Sequence, residues 1–298
     1  MGEKIIMKWS VIYLYIIYAV LSSTTCEVLS FSQSDIYLSS HIIHQGDLIL
    51  VRITVKDWET PQMIWMNREV YLAPNRQKTV WHGFLAADLT ARPGGYRALF
   101  KKNPSGHEKQ LVIEVRKKDY GVRRLNLPKD MVELNTIALK RVMKESKLME
   151  NLWEAPPSTP LWNGPFLRPI SGKVMGPFGP RTIINNQSRA PHSGVDLKAK
   201  KGTPVRATND GRVALTCDYF SSGRSVVIDH GGGIQSMYFH LERILVQQDE
   251  MVTKGHIIGL VGSTGRATGP HLHWGIRVNG ARVDPLRLLS VSRKMVTF

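Results

Sequence analysis

The chain has 298 residues, 42% of them hydrophobic, and Lys and Arg exceed Asp and Glu by 40 − 24 = 16. That composition excludes a disordered or low-complexity chain and leaves room for two domains of ordinary size, each with its own core. The positive balance favours an anionic partner such as nucleic acid, anionic lipid or an acidic wall polymer. No recognisable nucleic-acid-binding motif accompanies it, so nucleic acid is not expected. Cysteines are confined to Cys26 and Cys217, too few for a disulfide framework, and no Cys-x-x-Cys points to a zinc finger. Cys217 is expected as a buried free thiol.

At the N-terminus, Lys4 and Lys8 precede an apolar-rich run over 9–21, followed by Ser22-Ser23-Thr24-Thr25. Basic, then apolar, then small residues is the layout of a secretory signal peptide, here 1–25. The run is shorter than the roughly 20 residues that span a bilayer. Export to a periplasm or cell envelope is therefore expected. Any membrane attachment would come through this N-terminus, left uncleaved or lipidated at Cys26.

Residues 26–118 read as short strands, at 48–55, 63–66, 80–85, 96–100 and 111–115. Turn residues lie between them, as in Gln45-Gly46-Asp47 and Arg92-Pro93-Gly94-Gly95. Such spacing predicts an antiparallel, Ig-like β-sandwich. His41, His44, His82 and His107 are scattered without ligand spacing and are expected at the surface or in turns. Trp58, Trp65 and Trp81 are expected in the core or on a sheet face. Residues 119–160 predict a connector, with a helix capped by Asp130 and apolar at Met131, Leu134, Ala138, Val142 and Met149. The stiff run Ala155-Pro156-Pro157-Ser158-Thr159-Pro160 then marks the boundary. Residues 161–298 are again β-rich, with strands expected at 205–207, 212–215, 225–229, 235–240, 257–261 and 271–278. The glycine-rich run 259–265 lacks the Gly-Lys-Ser/Thr of a phosphate loop and reads as a tight turn.

Six of the ten histidines fall between His192 and His273. His271 and His273, at i and i+2 on a strand, point to one face. His192 and Asp196, at i and i+4, can also share one. Two imidazole nitrogens and a carboxylate oxygen suit zinc, and a further histidine beside the metal supplies a proton acceptor. The pattern predicts a zinc hydrolase. His230 and His256 are expected to be structural or exposed, and Asp229 and Asp284 to be strand-end or turn residues. Tyr238 and Arg181 are open between packing and substrate contact, and Trp274 is expected in the core.

Pro191-His192-Ser193-Gly194-Val195-Asp196, Tyr238-Phe239-His240-Leu241 and Gly269-Pro270-His271-Leu272-His273-Trp274 resemble the motifs of lysostaphin-type (LytM-type) zinc metallopeptidases. Pro177-Phe178-Gly179-Pro180-Arg181 and Gly202-Thr203-Pro204-Val205 support the likeness, which runs from about Arg168 to Leu289. The resemblance implies a mainly β protein whose C-terminal antiparallel peptidase domain holds one zinc ion and cleaves peptide bonds in peptidoglycan. It implies His192, Asp196 and His273 as ligands, His271 as proton acceptor, and His240 as a hydrogen-bonding partner of the water or developing oxyanion. A noncatalytic regulator of other wall hydrolases is the alternative, expected where ligands are lost. A latent enzyme is another, with a side chain from 163–189, such as Asn185 or Asn186, filling the open metal position.

Overall fold

Leu48, Ile49, Leu50 and Val51 are buried at consecutive positions, which a strand achieves only when both of its faces are covered. The computed structural model shows how. It describes residues 35–126, 134–154 and 158–295. The expected signal segment, Cys26, the helix-start residues Asp130 and Met131, and 155–157 of the linker lie outside the described residues.

The first strands in the chain are β1 (Ile36–Leu38), β2 (Ile42–His44), β3 (Leu48–Thr54), β4 (Thr60–Trp65) and β5 (Arg68–Val70). β6 (Ala73–Pro74), β7 (Val80–Ala86), β8 (Gly94–Asn103) and β9 (His107–Arg116) follow. They make two sheets, β1-β3-β7-β6 and β2-β9-β8-β4-β5. Pairing is antiparallel except that β2 runs parallel to β9. The Trp65 indole ties the two sheets by donating to the carbonyl of Ala86 at 2.7 Å. On the other face of the first sheet, Leu48, Leu50, Phe84 and Ala86 join a buried cluster with Trp162, Phe166, Phe178 and the C-terminal strands. The first sheet is thus a middle layer, and this core crosses the boundary expected near 155–160.

β10 (Val122–Leu125) leaves the N-terminal region and pairs in parallel with β12 (Arg181–Ile184), an addition that periodicity did not signal. Helix α1 (Thr136–Glu154) begins five residues later than an Asp130 cap would place it; Asn135 Oδ1 accepts from the Ala138 amide at 2.8 Å. Ala138, Val142, Glu145 and Met149 form its half-buried face, a helical repeat that turns them toward one side. Polar bonds dock that side: Arg141 donates to the Asp218 carbonyl and Glu145 accepts from the Phe220 amide.

Past the linker come β11 (Val174–Gly176), β12, β13 (Gln187–Ser188), β14 (Gly194–Lys198), β15 (Pro204–Arg206), β16 (Gly211–Tyr219) and β17 (Gly223–Asp229). β18 (Ile234–Ile244), β19 (Met251–Val252), β20 (Ile257–Val261), β21 (His271–Val278) and β22 (Ala281–Val283) complete the strands, and α2 (Pro285–Ser292) closes the fold. The main sheet runs β11-β14-β21-β18-β17-β16-β19, and β20 links β15 to β18. The chain is mainly β, as its periodicity predicts. Strand β20 has the bounds expected for it, so the turn expected over 259–265 begins only after Val261, where Gly262 bridges to His271. α2 starts on Pro285 with Asp284 accepting from the Leu286 amide, the capping arrangement its sequence favours.

Candidate metal centre

Antiparallel pairing of β14 with β21 sets Asp196 opposite His273 and Lys198 opposite His271. Cross-strand partners hold their side chains about 5 Å apart at Cβ, close enough to share an ion. His192 arrives from the approach to β14. Its amide donates to Pro180, its carbonyl accepts from Gly179, and its Nδ1 donates to the Pro177 carbonyl at 2.7 Å. The last bond fixes the tautomer of the neutral ring, leaving the Nε2 lone pair facing inward.

The three inward atoms form a nearly equilateral triangle. His192 Nε2 lies 3.0 Å from Asp196 Oδ1 and 3.1 Å from His273 Nδ1, and the latter two are 2.9 Å apart. Four-coordinate zinc with bonds near 2.0–2.1 Å separates its ligand atoms by roughly 3.3 Å. The lone pairs of His192 Nε2 and Asp196 Oδ1 face each other, so something positive belongs between them. Burial opposes charge on His192, but the hydrogen bond and negative charge of Asp196 outweigh it and raise the imidazole pKa. Burial likewise opposes charge on Asp196, and the two histidine hydrogen bonds overcome it, holding the carboxyl well below the usual range. His273 moves the other way, its pKa lowered chiefly by burial. A neutral donor of this kind is what a divalent cation requires.

Glycine makes the approach possible. A Cβ on Gly176 would press on the Asp196 carboxyl, and one on Gly194 would lie 2.7 Å from His273 Nε2 and 2.6 Å from the Trp274 carbonyl.

Two more imidazoles flank the triangle. His271 Nε2 is 3.8 Å from Asp196 Oδ1, and its Nδ1 donates to the Gly269 carbonyl at 2.8 Å. The His240 ring centre is 4.9 Å from that of His271 and 6.2 Å from that of His273. Its Nδ1 donates to the Thr264 carbonyl at 2.8 Å. Burial leads the causes that push His240 down to about 4, so the ring is neutral and its Nε2 is an acceptor. Unbroken strand alternation would put His240 on the face of Tyr238, in the core. A left-handed backbone at His240 (φ 63°) breaks the alternation, and the Ser222 carbonyl holds the amide in place. Strain of this sort is concentrated at functional sites.

Residues 190–285 match the family model described as Peptidase family M23. This segment is an M23 peptidase domain. Over 122 residues the chain is 40% identical to the peptidoglycan DD-endopeptidase ShyA of Vibrio cholerae, covering 40% of this chain and 28% of ShyA. It is also 40% identical over 114 residues to the DD-carboxypeptidase/endopeptidase Mpg of Neisseria meningitidis, covering 38% of this chain and 26% of Mpg. The chain therefore matches about a quarter of the length of these curated relatives. A solved Pseudomonas aeruginosa structure, described as a peptidase M23, is similar with a TM-score of 0.63 and 29% identity. It covers 81% of this chain and 93% of that one, so the likeness reaches beyond the M23 segment.

Outside the M23 constellation, the remaining candidates separate clearly. His230 is fully buried and bonded to the Asp210 carbonyl and Ser236 Oγ, while His256 is exposed. Tyr238 is packing: its buried hydroxyl accepts from the Thr208 amide and from Ser236. Trp274 is buried in the core cluster, and Arg181 is exposed on β12. Asp229 ends β17, and Asn185 and Asn186 form the two-residue turn between β12 and β13. In the N-terminal region, Trp65 is buried whereas Trp58 is exposed, and His82 sits half-buried on β7 rather than in a turn. Cys217 is free and half-buried, its thiol pushed up to about 12 by burial.

Sequence reasoning passed over the carbonyls of Pro177, Thr264 and Gly269, which set three imidazole tautomers; backbone acceptors leave no residue-type signal. It also passed over Phe239, whose ring stacks on His273 at 5.4 Å and 11°. The signal was present, since Phe239 precedes His240 and pairs with His273 across β18 and β21.

Proposed function

We propose that the chain is an exported zinc-dependent endopeptidase that hydrolyses peptide cross-links of peptidoglycan. One observation carries the proposal: three donor atoms 2.9–3.1 Å apart, with two further imidazoles turned toward the same point. Three protein donors leave one position of a tetrahedral ion open, the catalytic arrangement rather than the structural one. His192, Asp196 and His273 would hold the zinc, which supplies Lewis acidity and makes water nucleophilic near neutral pH.

The chain's own groups do the rest. His271, its Nδ1 committed to Gly269, takes the proton of the attacking water on Nε2 and delivers it to the leaving amine. His240, neutral and held by Thr264, accepts a hydrogen bond from that water and aims it. Phe239 covers one face of His273 and restricts its rotation. Retention of all five residues supports catalysis over the regulator alternative. The names of ShyA and Mpg support direct cross-links between D-amino acids as the bond class. The N-terminal segment 1–25 would deliver the enzyme to the envelope.

The test compares zinc content and release of muropeptides from purified murein for wild type, His273→Ala and His271→Ala. His273→Ala should lose zinc and hydrolysis together. His271→Ala should keep one zinc per chain and lose hydrolysis by about 10²–10⁴-fold, the usual worth of a general base. Wild-type rates in either variant, or undiminished hydrolysis by metal-stripped protein, would reject the proposal.

A further inference from the structure

The small sheet beside the metal centre has an unusual charge. Residues 120–126 and 181–189, which supply β10, β12 and β13, contain four arginines (Arg123, Arg124, Arg181 and Arg189) and no Asp or Glu. The register sorts them by face. Arg123 pairs with Thr182, and the Arg189 amide donates to the Thr182 carbonyl, so Arg123, Thr182 and Arg189 share one face. Arg124 and Arg181 belong to the other.

This sheet is tied to the site through a short path. The Arg181 amide donates to Gly121, and the neighbouring Pro180 carbonyl accepts from His192. Tyr120 fixes the entry of β10: its hydroxyl donates to the Gln45 carbonyl at 2.7 Å and its ring meets Phe178 edge-on at 5.5 Å. Arg123 sits opposite Thr182, two residues along the chain from Pro180, whose carbonyl accepts from the His192 amide. Arg123 is exposed, and among the described residues its guanidinium has no hydrogen bond or ion pair. An exposed arginine held beside the candidate metal site, without an acidic partner among the described residues, is placed for a ligand carboxylate.

We propose that the Arg123 face of this sheet docks the carboxylate-bearing peptide of the substrate, with Arg123 pairing the carboxylate nearest the scissile bond. The inference rests on the endopeptidase function above and adds a specificity element from the connector, outside the M23 segment. An exposed guanidinium–carboxylate pair with bidentate geometry discriminates by up to about fivefold at low salt.

The test uses the full-length chain carrying His271→Ala, so that peptide stays intact, and fluorescence anisotropy with a labelled stem peptide. One form has free side-chain and terminal carboxylates and the other is fully amidated. The parent should prefer the free-carboxylate form by about three- to fivefold at low salt. Arg123→Ala should abolish the preference without weakening binding of the amidated form. Arg123→Lys should restore part of it, and Arg124→Ala, on the opposite face, should leave it intact. The inference is overturned by an unchanged preference in Arg123→Ala, by no binding of either peptide, or by equal competition from heparin and from the free-carboxylate peptide. A parallel cleavage assay in the metal-loaded wild-type background separates the two proposals. If both peptides are cut alike with or without Arg123, the docking proposal falls and the peptidase stands. If neither is cut while Arg123-dependent preference persists, the peptidase proposal falls and the docking site stands.

Discussion

Gly176→Ala is the sharpest perturbation of the proposed metal centre, because it alters no donor. A Cβ at this position would lie 2.9 Å from Asp196 Cγ and 3.0 Å from Asp196 Cβ. Carbon atoms pack at about 3.5–4.0 Å, so the carboxyl must retreat by roughly 0.5 Å or more. Metal sites tolerate donor displacements of about 0.2 Å, and disturbing the groups that orient a ligand costs about 10–100-fold in affinity. The expected loss is of that size, about 1.4–2.7 kcal/mol. Removing a glycine also restricts the unfolded chain, which stabilises by about 0.4–1 kcal/mol and offsets part of the clash. The melting temperature of metal-free protein should therefore move little while zinc affinity falls. Competition against a chromogenic chelator at neutral pH reads the affinity, and thermal unfolding without metal reads the fold. Zinc affinity within twofold of wild type in a normally folded variant would refute the argument that Gly176 makes room for the Asp196 carboxylate.

Three other outcomes follow from particular contacts. Burial lowers the pKa of His230 from 6.5 to about 4, so the unfolded chain takes up the proton first as pH falls. Its contribution is fully present above about 6.5 and lost toward pH 4, about 3 kcal/mol in all; urea unfolding of His230→Gln should show a flatter dependence over that window, and an unchanged slope would contradict it. The Arg282 side chain donates to both Asp88 oxygens, at 3.0 and 2.6 Å, joining the N-terminal region to β22. After discounting for partial exposure, Asp88→Asn should cost about 1–2 kcal/mol in denaturant unfolding at neutral pH, and a loss under about 0.3 kcal/mol would show that the pair is not stabilising. A chain beginning at Leu161 lacks β10 and uncovers Trp162, Phe166 and Phe178, which pack with Leu48, Leu50 and Phe84. It should bind a hydrophobic dye and unfold without a sharp transition, whereas a cooperative melt near that of the full chain would show that the C-terminal part folds alone.

Legibility differed by element for physical reasons. Strands such as 257–261 and 271–278 were readable to the residue because apolar content and flanking glycines agree with the final pairing. The continuous burial of Leu48-Ile49-Leu50-Val51 has the same sequence appearance whether the second cover is another sheet or a neighbouring region. Its role as a middle layer therefore emerged only with the packing. β10 was illegible for a related reason. Val122-Arg123-Arg124-Leu125 has too few apolar residues to announce a strand, and its order comes from pairing with β12 and from the Tyr120 wedge. Long-range pairing overrides weak local preference at such places.

The candidate residues that the structure brings together were picked out by motifs, and the backbone explains why periodicity alone would have misplaced one of them. Alternation places His271 and His273 on one face with Leu272 opposite, which the burial of Leu272 in the core bears out. Applied to β18, the same rule sends His240 into the core with Tyr238. The left-handed turn at His240 reverses that side chain, next to an irregularity in pairing between Leu241 and Arg243. Such a conformation costs about 1–3 kcal/mol for a non-glycine residue, and it is held by Ser222 on the amide and Thr264 on the ring. Those two acceptors come from the β16–β17 hairpin and the loop after β20, and Glu145 of α1 grips the same hairpin at Phe220. The position of His240 thus depends on segments more than a hundred residues apart in sequence. A local rule has no access to that dependence, and the strained backbone is where it becomes visible.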